Sequence, residues 1–470
     1  MIALFLHFII VFGEVFLMKQ KKFDWGYFLK HIAIIAIPVA LQNLLTTTGS
    51  MVDTIMLASI GEKAVGAVGL CAQFSSLMFS GYWGFIGGGM LFFAQYWGAK
   101  DHDGITRSYG MTLLFMMTVA LIFAGLAIGA PSFIMGVYTD KPEIQAIGIS
   151  YLRIVGFAYP LQVLSMAMSA LLRSIERVKI PLYGGIASVI ANCFFNYLFI
   201  FGKFGMPRME IAGAALATVT ARIIEVMWCV LETRGKDRVK LRRKYLRRDD
   251  LVLRKDFWKY TTPVICNEIV WGTGFSMYSV IMGHLGSDAV AANSIANIVK
   301  NLAGCFCLGL GNGGGIMVGN ELGAGKLEKA REYGRRLCHL SVSSGIVSGL
   351  IFLVFSPLIL KFANLSAVSE SYLKGMLLIC AYYMIGRSVT GVTINGIFCA
   401  GGDSKFGLYC NCISMWCIIV PVGLIAAFVL KLPVLAVYFI ISLDEFVKIP
   451  AVYLNYKKYR WVKDLTVKSE

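Results

Sequence analysis

Twelve apolar stretches, at residues 28–57, 65–97, 108–130, 146–170, 181–201, 210–232, 257–284, 288–318, 336–360, 370–398, 406–430 and 433–455, occupy most of this 470-residue chain. A bilayer core about 30 Å thick takes about 20 residues of helix. Inside it only helices or closed barrels satisfy their own backbone. Charged residues make up 15% of the chain and hydrophobic ones 57%, against about 25% charged in soluble domains. A soluble globular fold is excluded. Glycine at 49 against proline at 11 suits helices that pack closely in lipid. The expected fold class is an all-α polytopic membrane protein of twelve transmembrane helices.

The formal net charge of +17 would point to nucleic acid in a soluble chain. Here the basic residues follow the loops. With twelve spans, the segments 19–30, 100–107, 173–179, 233–259, 326–336, Lys405 and 457–468 lie on one side and hold 32 Lys and Arg. The other side holds six: Lys63, Lys141, Lys203, Arg208, Lys361 and Lys431. The positive-inside rule then puts both termini in the cytoplasm of a multi-pass cell-membrane protein, with no nucleic-acid partner. Arg234 to Lys259 is the densest basic run. It reads as a cytoplasmic linker (233–256) with an interfacial helix, between an N-lobe (19–232) and a C-lobe (257–470). Residues 1–18 are set apart: 1–17 are apolar but short and carry Glu14, which suits an upstream start or an interfacial segment rather than a signal peptide.

The 12 cysteines are scattered through apolar segments, and the five histidines do not cluster. Cysteine in such helices is usually a small hydrophobe, so neither a disulfide framework nor a metal-binding cysteine motif is expected. Gly309-x-Gly311-x-x-Gly314 matches a dinucleotide fingerprint only on paper, because that motif needs a preceding strand. No HExxH or P-loop pattern occurs. An enzyme is not expected.

The chain matches itself without gaps at an offset of 225. Pro38-Val39 meets Pro263-Val264, Thr48-Gly49 meets Thr273-Gly274, and Gly61 meets Gly286. Gly88-Gly89 meets Gly313-Gly314, and Gly98-Ala99 meets Gly323-Ala324. Each repeat begins at an odd-numbered helix, so the halves are two six-helix lobes related by a pseudo-two-fold axis along the membrane normal. That symmetry belongs to transporters whose lobes rock about a central site.

Ionisable groups inside spans are functional candidates by default. Glu268 falls near mid-membrane, whereas Asp53 sits eight residues before Gly61, nearer an end. Under the repeat Asp53 faces Tyr278 and Glu268 faces Asn43, so the lobes carry their carboxylates at different places. Asn192 and Asn196 share one helix face at i, i+4, a spacing equally suited to holding helices together. Arg222 with Glu225, and Asp444 with Lys448, read as intramembrane pairs that hold structure. Tyr278, Trp271 and Trp83 are aromatic candidates for a cation-attracting cavity.

Several segments together resemble the multidrug and toxic compound extrusion (MATE) family of secondary transporters. They are Pro38 with Met51-Val52-Asp53-Thr54 and Gly61-Glu62-Lys63-Ala64, then Gly213 to Thr218, Pro263 to Glu268, Val318 to Gly325, Ala400 to Lys405, and Trp461. The resemblance spans about residues 24–468. It implies antiport, with Na+ or H+ entering as an amphiphilic, cationic organic compound leaves, and no cofactor. It further implies a cation site at Asp53, Asn192, Asn196 and Thr218, with Asp53 as the Na+ ligand if Na+ is the ion. Glu268 matches the family's helix 7 carboxylate. An aspartate that some relatives carry in helix 10 has no match here, where Arg387 and Asn395 stand out instead.

The expectation is therefore an antiporter that works in the bilayer as a monomer by alternating access of two lobes. Its coupling residues would be Asp53, Asn192, Asn196 and Thr218, and its C-lobe carboxylate and cavity Glu268, Tyr278, Trp271 and Asn43. Which carboxylate couples and which binds stays open. A lipid-linked precursor flippase, a polytopic membrane enzyme and a non-transporting sensor are the alternatives.

Overall fold

A computed structural model describes residues 24–233, 251–362 and 365–466. The N-terminal extension and most of the basic linker expected from the sequence lie outside these residues. The described residues form twelve helical rods. In the first half they are α1 (Trp25–Ala58), α2 (Glu62–Gly98), α3 (His102–Gly129), α4 (Pro142–Val155 continued by Ala158–Ser174), α5 (Lys179–Phe201) and α6 (Glu210–Thr233). A short helix, Pro131–Tyr138, joins α3 to α4. The second half holds α7 (Leu251–Gly283), α8 (Ser287–Gly323), α9 (Leu327–Phe362) and α10 (Ala367–Thr390 continued by Gly391–Phe398). It closes with α11 (Ser404–Asn411 continued to Val429) and α12 (Val434–Ser442 and Asp444–Lys457).

Nine of these rods are long and apolar enough to span a membrane, and the two pieces of α4, bent by 48°, together make a tenth. The remaining two are α7 and α12. Thr261, Thr262, Asn267 and Glu268 dilute the first, and the second breaks at Leu443 just before Asp444 and Glu445. Polar groups at membrane depth belong where protein covers them; Asn267, Asp444 and Glu445 are all buried.

Local chemistry sets the helix starts. The Asp24 carboxylate accepts from the Tyr27 backbone N–H at 2.9 Å, Asp101 from Gly104 at 2.8 Å, and the Ser366 hydroxyl from Ser369 at 3.2 Å, which satisfies N–H groups the helix cannot pair itself. The residues before α2 and α8 are Gly61 and Gly286, with φ of 141° and 111°, conformations that glycine alone adopts freely. Both helices are 37 residues long, and their starts and ends lie 225 residues apart, as the sequence repeat requires.

Each lobe has its own core. The first is built around Cys71, Met78, Tyr82, Phe93, Met116 and Val163; the second around Ile281, Met282, Met376, Met384, Val437 and Tyr438. The lobes meet along a seam where α1 packs on α8, α7 packs on α2, and α2 crosses α8. Glycines allow the close approach. Gly309 and Gly313 of α8 lie against Ala36 and Ala40 of α1, and Gly84 and Gly88 of α2 against Ile265 and Thr261 of α7.

The seam is tightest at the end that carries the basic loops. There Gly98 abuts the backbone carbonyl of Asn320 and Gly323 abuts that of Gln95. The tail after α12 returns to this point. Trp461 is fully buried and its carbonyl lies against Gly401. The Gln95 side chain donates to the Ala400 and Lys463 carbonyls at 2.8 and 3.2 Å, and accepts from the Leu465 N–H at 2.7 Å.

Candidate functional site

Three of the four N-lobe residues expected at a cation site are brought together in the structure. Asp53 lies in the last two turns of α1, and α5 presents Asn192 and Asn196 one turn apart. The Asn196 amide donates to the Asp53 carboxylate at 2.6 Å and to the Asn192 side-chain oxygen at 3.2 Å. Asn196 is 1% exposed, and its own side-chain oxygen has no hydrogen-bond partner among the described residues. A carboxylate and two amide oxygens are hard donors of the kind Na+ prefers, and the carboxylate can equally hold a proton. The fourth residue, Thr218, is differently engaged: its hydroxyl donates to the Ala214 carbonyl of its own helix at 3.0 Å.

A buried polar chain lies behind this cluster. Arg222 pairs with Glu225 at 2.7 Å, as the i, i+3 spacing predicts, and Arg222 acts electrostatically on Asp53. Arg173 donates to the Gln42 side chain at 2.7 Å, which ties α4 to α1. Asp53 of α1 thus faces an amide of α5 and a paired cation of α6.

The C-lobe holds a denser cluster. Arg387 of α10 binds Glu445 of α12 at 3.1 Å, and Thr390 donates to Glu445 at 2.6 Å. Lys448 bridges Asp444 at 2.9 Å and Glu445 at 3.5 Å. The Asp444–Lys448 pairing expected from the sequence is present. Glu445, the carboxylate that faces Arg387, is supplied by α12 and not by helix 10, where the family resemblance looks for an acid. Glu268 of α7 lies within electrostatic reach of Arg387.

Beside this cluster is a cavity walled by α7, α8, α10, α11 and α12. Trp271 and Tyr278 both line it, with Phe275, Asn297, Lys300 and Asp444 among the others. Glu268 and Asn43 do not line it. Trp83, the third aromatic candidate, stacks on Phe79 at 4.8 Å in the N-lobe instead. Trp271 and Phe275 stack at 5.7 Å with 18° between their planes. Arg387 sits 5.0 Å over the Trp271 ring and Lys300 5.6 Å over Phe275. Lys300 was passed over in the sequence, although a lysine inside the span 288–318 is itself the signal that could have found it.

The loop between α4 and α5 adds an inter-lobe contact. The Asn320 amide of α8 donates to Glu176 at 2.7 Å, and the His31 ring of α1 lies 3.6 Å from the same carboxylate. These neighbours, His31 first, hold the Glu176 carboxyl below its ordinary value.

The MatE family model matches residues 38–198 and 263–441, one block in each lobe. The probable multidrug resistance protein YoeA of Bacillus subtilis is 25% identical over 430 residues, 89% of this chain and 90% of the relative. The probable multidrug resistance protein NorM of Burkholderia pseudomallei is 28% identical over 409 residues, covering 84% and 85%. The uncharacterized transporter YisQ of Bacillus subtilis is 23% identical over 426 residues, covering 87% and 90%. Among solved structures, the Vibrio cholerae MATE transporter VcmN in its bent form superposes with a TM-score of 0.83 at 14% identity, over 93% of this chain and 97% of that one. MATE in the straight conformation gives 0.82 at 16% identity, over 94% and 99%.

Proposed function

This chain belongs to the MatE family, and on that premise we propose that it is a secondary antiporter that exports amphiphilic, cationic organic compounds in exchange for Na+ or H+. The single observation that carries the reading is the Asp53–Asn196–Asn192 cluster, a hard-donor site inside one of two pseudo-symmetric lobes. Relatives named as multidrug resistance proteins along nearly the whole chain support the substrate class. The skewed distribution of basic residues supports cytoplasmic termini.

On that topology the tight end of the seam faces the cytoplasm. At the other end, a side chain at Gly66 or Gly69 of α2, or at Gly272 or Gly283 of α7, would meet open space. The arrangement fits a state closed to the cytoplasm. In this scheme the ion binds Asp53 in one arrangement of the lobes more tightly than in the other, the only way a ligand shifts such an equilibrium. Lobe rocking about the seam then exposes the substrate site to alternate sides.

The test is ethidium efflux from proteoliposomes under an imposed Na+ or H+ gradient, comparing the natural protein with Asp53→Asn. Efflux driven by one ion and lost in the variant is expected. Efflux that survives the variant moves coupling to Glu268, and no gradient-driven flux of any organic cation overturns antiport in favour of a flippase or sensor.

A further inference from the structure

Two amides bridge the lobes at the tight end of the seam, and the sequence repeat relates them: Gln95 of α2 and Asn320 of α8 are partners at the offset of 225. Gln95 reaches the turn between α10 and α11 and donates to the Ala400 carbonyl at 2.8 Å. Asn320 reaches the turn between α4 and α5 and donates to the Glu176 side chain at 2.7 Å. The donors match, but the acceptors do not. A backbone carbonyl keeps its character at any pH, whereas Glu176 offers a charged carboxylate.

Glu176 is also an unusual residue for its place. Its N–H donates to the Arg173 carbonyl at 3.0 Å, and the Arg177 N–H to that of Leu172 at 2.8 Å, the pairing that ends many helices with a glycine. The turn after α10 closes with the same two bonds, from Gly402 to Cys399 and from Asp403 to Phe398. There the residue is indeed glycine, with φ of 75°; Glu176 has 62°, a conformation that glycine adopts freely and glutamate rarely. Backbone held this way by another residue marks places where function asks for a side chain. The Glu176 oxygen that accepts from Asn320 lies 3.6 Å from the His31 ring of α1. The other charges around His31 are Glu321 of α8 and Lys329 of α9, which pair with each other. Its own helix adds the Tyr27 ring at 5.7 Å.

We infer that His31 and Glu176 form a regulatory proton site at this end of the seam, where an imidazolium holds the Glu176 carboxylate against Asn320 and so keeps the two lobes together. Histidine changes its charge between about pH 5 and 8. A proton shifts the lobes only if one arrangement binds it more tightly. With the lobes together, Asn320 pins the carboxylate beside the ring; once they part, the pin is gone and the glutamate side chain turns to water. The closed arrangement therefore favours the protonated ring. Its gain is complete on the acid side of the histidine range and lost on the alkaline side. The two side chains are 27% and 37% exposed, so the gain is about two- to fivefold in the equilibrium between the arrangements. On the topology proposed above, an acid cytoplasm opens this side less often. The site is separate from the coupling ion, because Asp53 lies about 33 Å further along α1 at 1.5 Å per residue.

The test is hydrogen–deuterium exchange of the full chain in lipid nanodiscs, read by mass spectrometry at about pH 6 and about pH 8 and corrected for the intrinsic pH dependence of amide exchange. It needs no transport, so its outcome is independent of the antiport test. In the natural protein both crossing segments, 95–100 and 320–326, should exchange about two- to fivefold more slowly at the lower pH. His31→Gln and Glu176→Gln should each abolish that difference. His102→Gln, which replaces the histidine beside Trp97 at the same end, and Asp53→Asn should both keep it. No difference in the natural protein, a difference confined to the turn at 173–178, or one that survives His31→Gln overturns the site. If His31→Gln does not insert, Glu176→Gln decides by the same criterion. Loss of the difference in Asp53→Asn assigns the proton to the coupling site and also removes the proposal.

Discussion

Gly98 lies directly against the backbone carbonyl of Asn320, where α2 of one lobe crosses α8 of the other. Its repeat partner Gly323 makes the matching contact with Gln95, so the pseudo-two-fold axis passes through this crossing. A side chain at either glycine has nowhere to go, because the obstacle is backbone.

Gly98→Val should therefore force the crossing apart. Overpacking of this kind costs about 1–3 kcal/mol, set against the closed arrangement of the lobes. The expected outcome is gradient-driven efflux reduced at least about tenfold at unchanged membrane abundance. Gly66→Val, at a position where a side chain meets open space, should stay within about twofold.

The Asn196 amide is the donor that fixes the Asp53 carboxylate. Asn196→Leu removes a charge-assisted bond worth about 1.5–3 kcal/mol together with an oxygen available to the ion. The ion gradient needed for half-maximal efflux should rise about tenfold or more. A Thr218→Val change should be far milder, because that hydroxyl is engaged with its own helix. Equal losses in the two variants would argue against this division of roles.

Lys448 is 2% exposed and neutralises two buried carboxylates. Lys448→Met strands Asp444, while Glu445 keeps Arg387 and Thr390, and should destabilise the protein by about 3–5 kcal/mol, seen as a clear fall in the thermal midpoint in detergent. Adding Asp444→Leu should recover part of the loss, because the second change removes the stranded charge.

Glu176 sets a pH dependence at the loop between α4 and α5. Its carboxyl is held below the ordinary value of 4.5, so its contribution to stability is complete above that value and disappears as pH falls through the lowered one. The difference in thermal midpoint between the natural protein and Glu176→Gln should narrow as pH falls below about 4.5, where the carboxyl takes up its proton. A gap that closes between pH 7 and 5 would contradict the assignment.

Much of the architecture was legible because proline and glycine mark backbone geometry that side chains cannot replace. Pro38 and Pro263 sit inside α1 and α7, and Gly61 and Gly286 precede α2 and α8. Asp53 meeting Asn196 was also legible, since the family resemblance places an acid on helix 1 against amides on helix 5. The C-lobe cluster was less so. Arg387 and Glu445 stand 58 residues apart, and a one-dimensional pattern does not say which acid reaches across to which base. Lys300 escaped for the opposite reason: its surroundings are aromatic rings from α7, α10 and α12, each of which reads singly as ordinary packing. The break inside α4 does have a local cause, since Pro160 cannot donate to the Gly156 carbonyl, whereas the break in α12 and the π-helical turns at Gly391–Phe398 and Cys412–Ile419 leave no periodic trace. Such turns often occur at functional sites.

Gln95 belongs to the first lobe, yet its side chain bonds the second at Ala400, between α10 and α11, and twice more in the stretch after α12, at Lys463 and Leu465. The stretch after α12 thus lies as a strap buckled across the crossing of the two lobes. Separating α2 from α8 at this end unbuckles the strap, whatever happens at the ion site. A chain shortened before Trp461 would keep every span, insert normally and still bind its ion. Its expected failing is one of timing: a transporter that swings open toward the cytoplasm too readily and cycles without waiting for cargo.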